Sequence, residues 1–121
     1  MTRTVLAVDD SPSIHCMVAL TLREAGYEVI EAADGQQALE MALSRRVDAI
    51  LTDQNMPRLD GLGFIRAYRS HPEGRGTPIV FLSTESADRL KAEAREAGAL
   101  GWMVKPFTQA QLLAVMKKVL G

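Results

Sequence analysis

Cysteine is almost missing from the 121 residues: Cys16 stands alone, so no internal disulfide can form and a reducing compartment is the simpler expectation. Charge of one sign is not in excess either. The 14 Lys and Arg face 15 Asp and Glu, a formal net charge of −1. That balance offers no electrostatic footprint for nucleic acid or an anionic membrane, both of which favour a basic surface. Long apolar runs are also lacking. The longest stretch without a charged side chain, Ser11 to Leu22, has 12 residues, whereas a membrane-spanning helix needs about 20. The N-terminus begins a strand-like run at once and shows no signal-peptide pattern. The glycines form neither a P-loop nor a dinucleotide fingerprint. With 47% hydrophobic and 24% charged residues, the composition is that of a soluble globular protein, and the length suits one domain over 1–121 with a full core. The expectation is a monomeric cytoplasmic domain without nucleic-acid or membrane partners.

What is present is an alternation of two periods. Short runs at Val5–Val8, Glu28–Ala32, Ala49–Thr52, Ile79–Leu82 and Trp102–Val104 have the length and Val/Ile/Leu content of strands buried on both faces. Between them the period is helical. Ile14, Met17, Val18, Leu22 and Ala25 share one face, with Gly26 placed to cap the end. Ala38, Leu39, Ala42 and Leu43 form the next stripe, followed by Phe64, Ile65 and Tyr68, and at the C-terminus by Leu112, Leu113, Met116, Val119 and Leu120. The stretch Ala87 to Ala97 has helical composition but one large apolar residue, Leu90, which predicts a weakly docked helix. Pro72 to Pro78 reads as an exposed loop. Five strands alternating with five helices predict an α/β fold, a parallel doubly wound sheet with helices on both faces.

Ligands of open α/β sheets bind beyond the carboxyl ends of the strands. Strand one ends in Asp9 and Asp10, strand three in Asp53, strand four in Ser83 and Thr84, and strand five in Lys105. Any one of these reads equally well as a solvated loop residue. All of them on one edge are harder to dismiss, because carboxylates crowded at about 4 Å repel by roughly 1–4 kcal/mol per pair. Repulsion predicts at least one raised carboxylate pKa, and relief by a cation. Hard oxygen ligands with room for water suit Mg²⁺. A carboxylate beside such a cation can attack phosphorus and form an acyl phosphate. Lys105 and the hydroxyl of Ser83 are then placed to neutralise and orient the transferring oxygens.

Val8-Asp9-Asp10-Ser11, Thr52-Asp53-Gln54-Asn55-Met56-Pro57, Asp60-Gly61, Leu82-Ser83-Thr84 and Val104-Lys105-Pro106-Phe107, in this order and spacing, resemble the CheY-like receiver domain of bacterial two-component response regulators, nearest the stand-alone chemotaxis type. The resemblance runs from Thr4 to Leu120. It implies the flavodoxin-like strand order 2-1-3-4-5 and a signalling switch rather than an enzyme, with intrinsic autophosphorylation and autodephosphorylation at Asp53. It implies Asp53 as phosphoacceptor from a CheA-like sensor histidine kinase. Mg²⁺ is then ligated by Asp10, Asp53 and the backbone carbonyl of Asn55, with Asp9 acting partly through water. Ser83 and Trp102 become the switch pair, Lys105 pairs with the phosphoryl group, and the Lys105–Pro106 bond is cis. Thr84 stands where the family usually has a small residue, which narrows access to Asp53 for small phosphodonors. Trp102 replaces the usual Tyr or Phe. Asn55 and Glu85 flank the site as in members that lose the phosphoryl group quickly.

The output the resemblance implies is a protein contact through the fourth helix, fifth strand and fifth helix, with a flagellar motor switch protein as target. A phosphate sink, a kinase regulator, or a receiver taken from a larger DNA-binding transcriptional regulator keep the same chemistry; the stop at Gly121, directly after the last helix, disfavours the last. A haloacid-dehalogenase-type phosphatase needs a second Asp where Asn55 stands. A flavodoxin needs a phosphate loop of Ser, Thr and Gly in place of Asp-Asp-Ser-Pro. Outside the strand ends, His15 and His71 read as solvated surface residues, Cys16 as partly buried packing, and Met17, Met41 and Met116 as core gap-fillers. Arg45, Arg46, Arg66, Arg69 and Arg75 read as solvated charge.

Overall fold

Both periods are realised, element by element, in a computed structural model that describes residues 2–84 and 88–120. The strands are β1 (Thr4–Val8), β2 (Glu28–Ala32), β3 (Ala49–Asp53), β4 (Ile79–Ser83) and β5 (Gly101–Val104). The helices are α1 (Pro12–Glu24), α2 (Gly35–Ser44), α3 (Gly61–Arg69), α4 (Asp88–Ala97) and α5 (Gln109–Leu120). All pairings in the five-stranded sheet are parallel, in the order β2-β1-β3-β4-β5. This is the flavodoxin-like order.

Strand alternation divides the core in two. Leu6, Val8, Ile50, Ile79 and Phe81 pack with α2, α3 and α4 on one face; Val5, Ala7, Leu51, Val80, Leu82 and Met103 pack with α1 and α5 on the other. Phe64, Ile65 and Tyr68 of α3 are fully buried, as are Leu112 and Met116 of α5. Helix starts follow from short acidic side chains. Asp34 Oδ1 accepts from the N–H of Gln37 at 2.8 Å, and Asp60 Oδ1 from that of Gly63 at 2.7 Å. Each satisfies one of the N–H groups left over in a first helical turn. At the far end of α1, Gly26 closes the helix at φ +96°, a conformation that disfavours a side chain.

Helix α4 buries Ala94, with Leu90 and Ala97 only partly covered. The thin anchoring expected of it is present.

Several expectations need correction. Cys16 is exposed rather than partly buried, since it points away from the α1 stripe. His15 is not solvated. Its side chain is 15% exposed, with Nε2 3.7 Å from Glu31. His71 is half-buried too. Pro72–Gly74 forms a 3₁₀ turn, in which Gly74 is buried so close to α3 that a Cβ would meet the Tyr68 carbonyl oxygen at 2.0 Å. Arg69 is not free surface charge: Nε and Nη2 donate to the Gly98 carbonyl at 3.3 and 2.8 Å, and Nη1 donates to that of Gly74.

Candidate functional site

Level strand ends make the site. Val8 is paired with Thr52, Asp53 with Leu82, and Ser83 with Val104, so the residues closing β1, β3, β4 and β5 emerge side by side. Asp9, Asp53 and Ser83 are buried there, while Asp10 and Thr84 are exposed. Lys105 reaches across the edge from the end of β5. Its Nζ lies 2.9 Å from Asp9 Oδ2 and 3.2 Å from Asp53 Oδ1. The peptide bond that follows, Lys105–Pro106, is cis, and the N–H of Lys105 is held by the Ser83 carbonyl at 2.8 Å. Asn55 is exposed in the loop after β3. Glu85 lies outside the described residues.

The acids fit a hard cation. One carboxylate oxygen from each of Asp9, Asp10 and Asp53 lies within 4.8 Å of the others. Asp9 is already engaged on both sides, by the Ser11 N–H at Oδ1 and by Lys105 at Oδ2. Asp53 Oδ1 accepts from the Gln54 N–H at 2.9 Å as well as from Lys105. Among the described residues, the Asp10 carboxylate and Asp53 Oδ2 have no such partner. Two hard oxygens beside a solvent-exposed edge suit an ion that retains several waters, as Mg²⁺ does.

Burial is the main reason that the Asp53 pKa is raised above its ordinary value. The Lys105 charge opposes the rise, and repulsion from Asp9 adds to it only after that. The sequence points to the direction of this shift through repulsion, whereas the leading cause is desolvation. For Lys105, burial pulls the pKa down, but the hydrogen bond and charge of Asp9, then of Asp53, outweigh it and leave the ammonium above its ordinary value.

Trp102 sits on the α2–α3–α4 face of the sheet, half-buried. Its ring meets Phe81 at 5.0 Å between centroids, tilted by 35°, and Lys91 Nζ of α4 lies 5.8 Å from the ring centroid. Its Nε1 is buried and has no hydrogen-bond partner among the described residues. Together with Lys91, Ala94, Arg95 and Leu100 it lines a cavity of about 220 Å³.

Gln54 is a positioning residue the spacing does not reveal. Its N–H bonds the Asp53 carboxylate, its side-chain oxygen accepts from Leu62 N at 2.9 Å, and its Nε2 donates to Asp60 at 3.2 Å. Asp53 is thereby tied to the start of α3. Gly61 completes that tie, since a Cβ there would lie 2.3 Å from the Asp53 carbonyl oxygen. Gly61→Ala is expected to destabilise the fold by about 2–3 kcal/mol in urea denaturation. Gly76→Ala, where a Cβ meets nothing within 4 Å, should stay within about 0.5 kcal/mol of wild type. Equal effects would show that the close approach carries no weight.

Comparison with known proteins agrees with this geometry. The response regulator receiver domain profile matches residues 5–117; the chain belongs to that family, and is a receiver domain of a two-component response regulator. Receiver domains act as signalling switches. The transcriptional regulatory protein PrrA of Mycobacterium tuberculosis is 40% identical over 116 residues, 96% of this chain and 49% of that protein. The phosphate regulon regulator PhoB of Pseudomonas aeruginosa is 35% identical over 118 residues, 98% of this chain and 52% of that one. The chain thus spans about half the length of the curated relatives it matches. Among solved structures, chemotaxis protein CheY4 of Vibrio cholerae superposes with a TM-score of 0.94 at 46% identity, over 98% of this chain and 99% of that one. The receiver domain of sensor histidine kinase PA1611 from P. aeruginosa, solved with magnesium in its active-site cleft, superposes at 0.92 with 33% identity over 100% and 99%.

Proposed function

We propose that this chain is a phosphorylation-gated switch in which Asp53 takes a phosphoryl group from a phosphohistidine on a CheA-like sensor histidine kinase. The observation that carries the reading is the buried Asp53 carboxylate, bracketed by Lys105 at 3.2 Å and by two further acids. In the transfer, a carboxylate oxygen of Asp53 bonds to phosphorus as the P–N bond to the imidazole breaks. Lys105 is placed to shift from Asp53 to the incoming phosphoryl oxygens, and Ser83 to hydrogen-bond one of them. Asp9, Asp10, Asp53 and the Asn55 carbonyl are the residues to hold Mg²⁺, which when bound supplies charge neutralisation for the transferring oxygens. Thr84 narrows the approach to Asp53, and Asn55 and Glu85 tune loss of the phosphoryl group. The site of action is the cytoplasm.

For output, the likeness to CheY4 supports a chemotaxis role, with α4, β5 and α5 contacting a flagellar motor switch protein. A second reading rests on the curated relatives, which are transcriptional regulators about twice as long: this domain then gates a DNA-binding segment. A phosphate sink or kinase regulator needs the same transfer. Mixing the chain with candidate kinases, Mg²⁺ and radiolabelled ATP tests the shared step. Label from no kinase and from no small phosphodonor would sink it.

Two further outcomes follow from the site. Because a ligand that binds only the folded state stabilises it, millimolar Mg²⁺ should raise the melting temperature of wild type and much less that of Asp10→Ala; equal rises would place the metal elsewhere. Trp102 should report the switch. If Ser83 moves toward the phosphoryl group it vacates space near Phe81, and the indole, with an unpartnered N–H and a thinly anchored α4 beside it, has little to hold it. Beryllofluoride with Mg²⁺ should change Trp102 emission, and Asp53→Asn should remove the change. Constant emission alongside mass-confirmed modification would exclude ring movement.

A further inference from the structure

At the sheet edge opposite the aspartates, a groove of about 480 Å³ runs between the end of α3, the loop before β4 and the loop from α4 to β5. A five-residue strand separates it from Asp53, about 16 Å at the strand rise. Arg69, Arg75 and Arg95 line it, and among the described residues no carboxylate does. Glu73, two residues before Arg75, lines the adjoining cavity instead. None of the three arginines forms an ion pair among the described residues.

Arg69 is the floor. Its bonds to the carbonyls of Gly98 and Gly74 use one N–H on each nitrogen, leaving two guanidinium N–H groups and a charge balanced only by carbonyl dipoles. Gly98, at φ +120°, lets the guanidinium lie this close, since a Cβ would stand 2.7 Å from Nε. The wall is apolar. Leu100 is 66% exposed, its backbone held by donation of its N–H to the Ile79 carbonyl at 2.8 Å; Val119 and Pro78 stand beside it.

We infer that this groove binds an acidic segment of a partner protein, with glutamate or aspartate side chains on Arg69, Arg75 and Arg95 and an apolar side chain on Leu100. Charge complementarity selects the carboxylates, since a guanidinium fork matches their geometry. The exposed apolar wall and open shape select an extended peptide over a compact anion. The groove adjoins the α4–β5–α5 surface: Arg95 and Leu100 border both cavities, whereas Arg69 and Arg75 border this groove and Lys91 and Trp102 the other.

The test is fluorescence anisotropy at low ionic strength with a short fluorescein-labelled peptide of alternating glutamate and leucine. Saturable binding is expected with Kd on the order of 0.1 mM, weakening as salt rises. Arg75→Glu should weaken it about tenfold and Leu100→Ser about threefold, both as folded variants because the two side chains are exposed. Lys91→Glu should leave it unchanged. No saturation, wild-type binding by both variants, or equal binding of a lysine–leucine peptide would overturn the inference. So would loss with Lys91→Glu, which moves the peptide to the other cavity. Inorganic phosphate or phosphatidylserine vesicles binding in an Arg75-dependent way, where the peptide does not, would reassign the groove to those anions.

Discussion

Asp53→Asn is expected to lower phosphoryl labelling by more than about a hundredfold, the scale of loss when a nucleophile is removed, and at the same time to raise the melting temperature of the metal-free protein. The two outcomes have one cause. Asp53 is 6% exposed, and desolvation first, then the nearby charge of Asp9, make its ionised form costlier in the fold than in the unfolded chain, with Lys105 offsetting only part. A raised folded pKa means that the stability contributed by this group is present in acid and is lost as pH rises from the ordinary value of 3.8 through the folded value. Above that window the penalty is constant, and asparagine removes it. The stabilisation by Asp53→Asn, on the order of 1 kcal/mol, should therefore be full near neutral pH and fade below about pH 4. Calorimetry in EDTA across that range checks it. A variant that still labels at wild-type level would show that another group accepts the phosphoryl; one that melts lower at neutral pH would show that Asp53 is a net stabiliser.

Lys105→Ala should act in the opposite direction, at a cost of about 3 kcal/mol at neutral pH without divalent ions. Lys105 is 10% exposed and is the one cation touching both Asp9 and Asp53 among the described residues. Its removal leaves two buried carboxylates facing each other. The pH dependence carries a separate signature. Because the folded Lys105 pKa is raised, its contribution is complete below the ordinary 10.5 and is lost as pH rises through the folded value. Wild type should lose stability on that alkaline limb, and Lys105→Ala should lack this component. In acid, protonation of Asp53 relieves the repulsion, so the two proteins should converge. Magnesium at millimolar levels should return part of the loss by supplying a substitute charge. A destabilisation below about 0.5 kcal/mol would show that solvent already screens the acids.

Much of this protein was legible without coordinates, for a local reason. A run such as Ile79-Val80-Phe81-Leu82 has no polar face to leave in water, so it belongs inside a two-sided sheet, and Ser83 after it must lie at the edge. The same logic puts Asp9, Asp53 and Lys105 on one edge, because parallel strands point the same way. Helical stripes placed Phe64, Ile65 and Tyr68 in the core by period alone, and the shortage of large apolar residues in α4 marked it as thinly held.

Tertiary structure decided what depends on distance across the chain. Lys105 meets Asp9 across 96 positions, and Arg69 reaches the Gly98 carbonyl across 29; hydrogen bonds of that span leave no periodic trace, so Arg69 read as surface charge. The contacts of Gln54 with Leu62 and Asp60 exist only because α3 folds against the end of β3. Cys16 and His15 are neighbours on one helix, yet one faces solvent and the other turns toward Glu31, because residues at the flank of a stripe take their burial from what packs beside the helix. Residue types and their periods determined the sheet, its order of elements and the edge where the acids gather. Only the packing decided which oxygens Lys105 holds, why burial rather than repulsion leads the shift at Asp53, and which arginines line a groove.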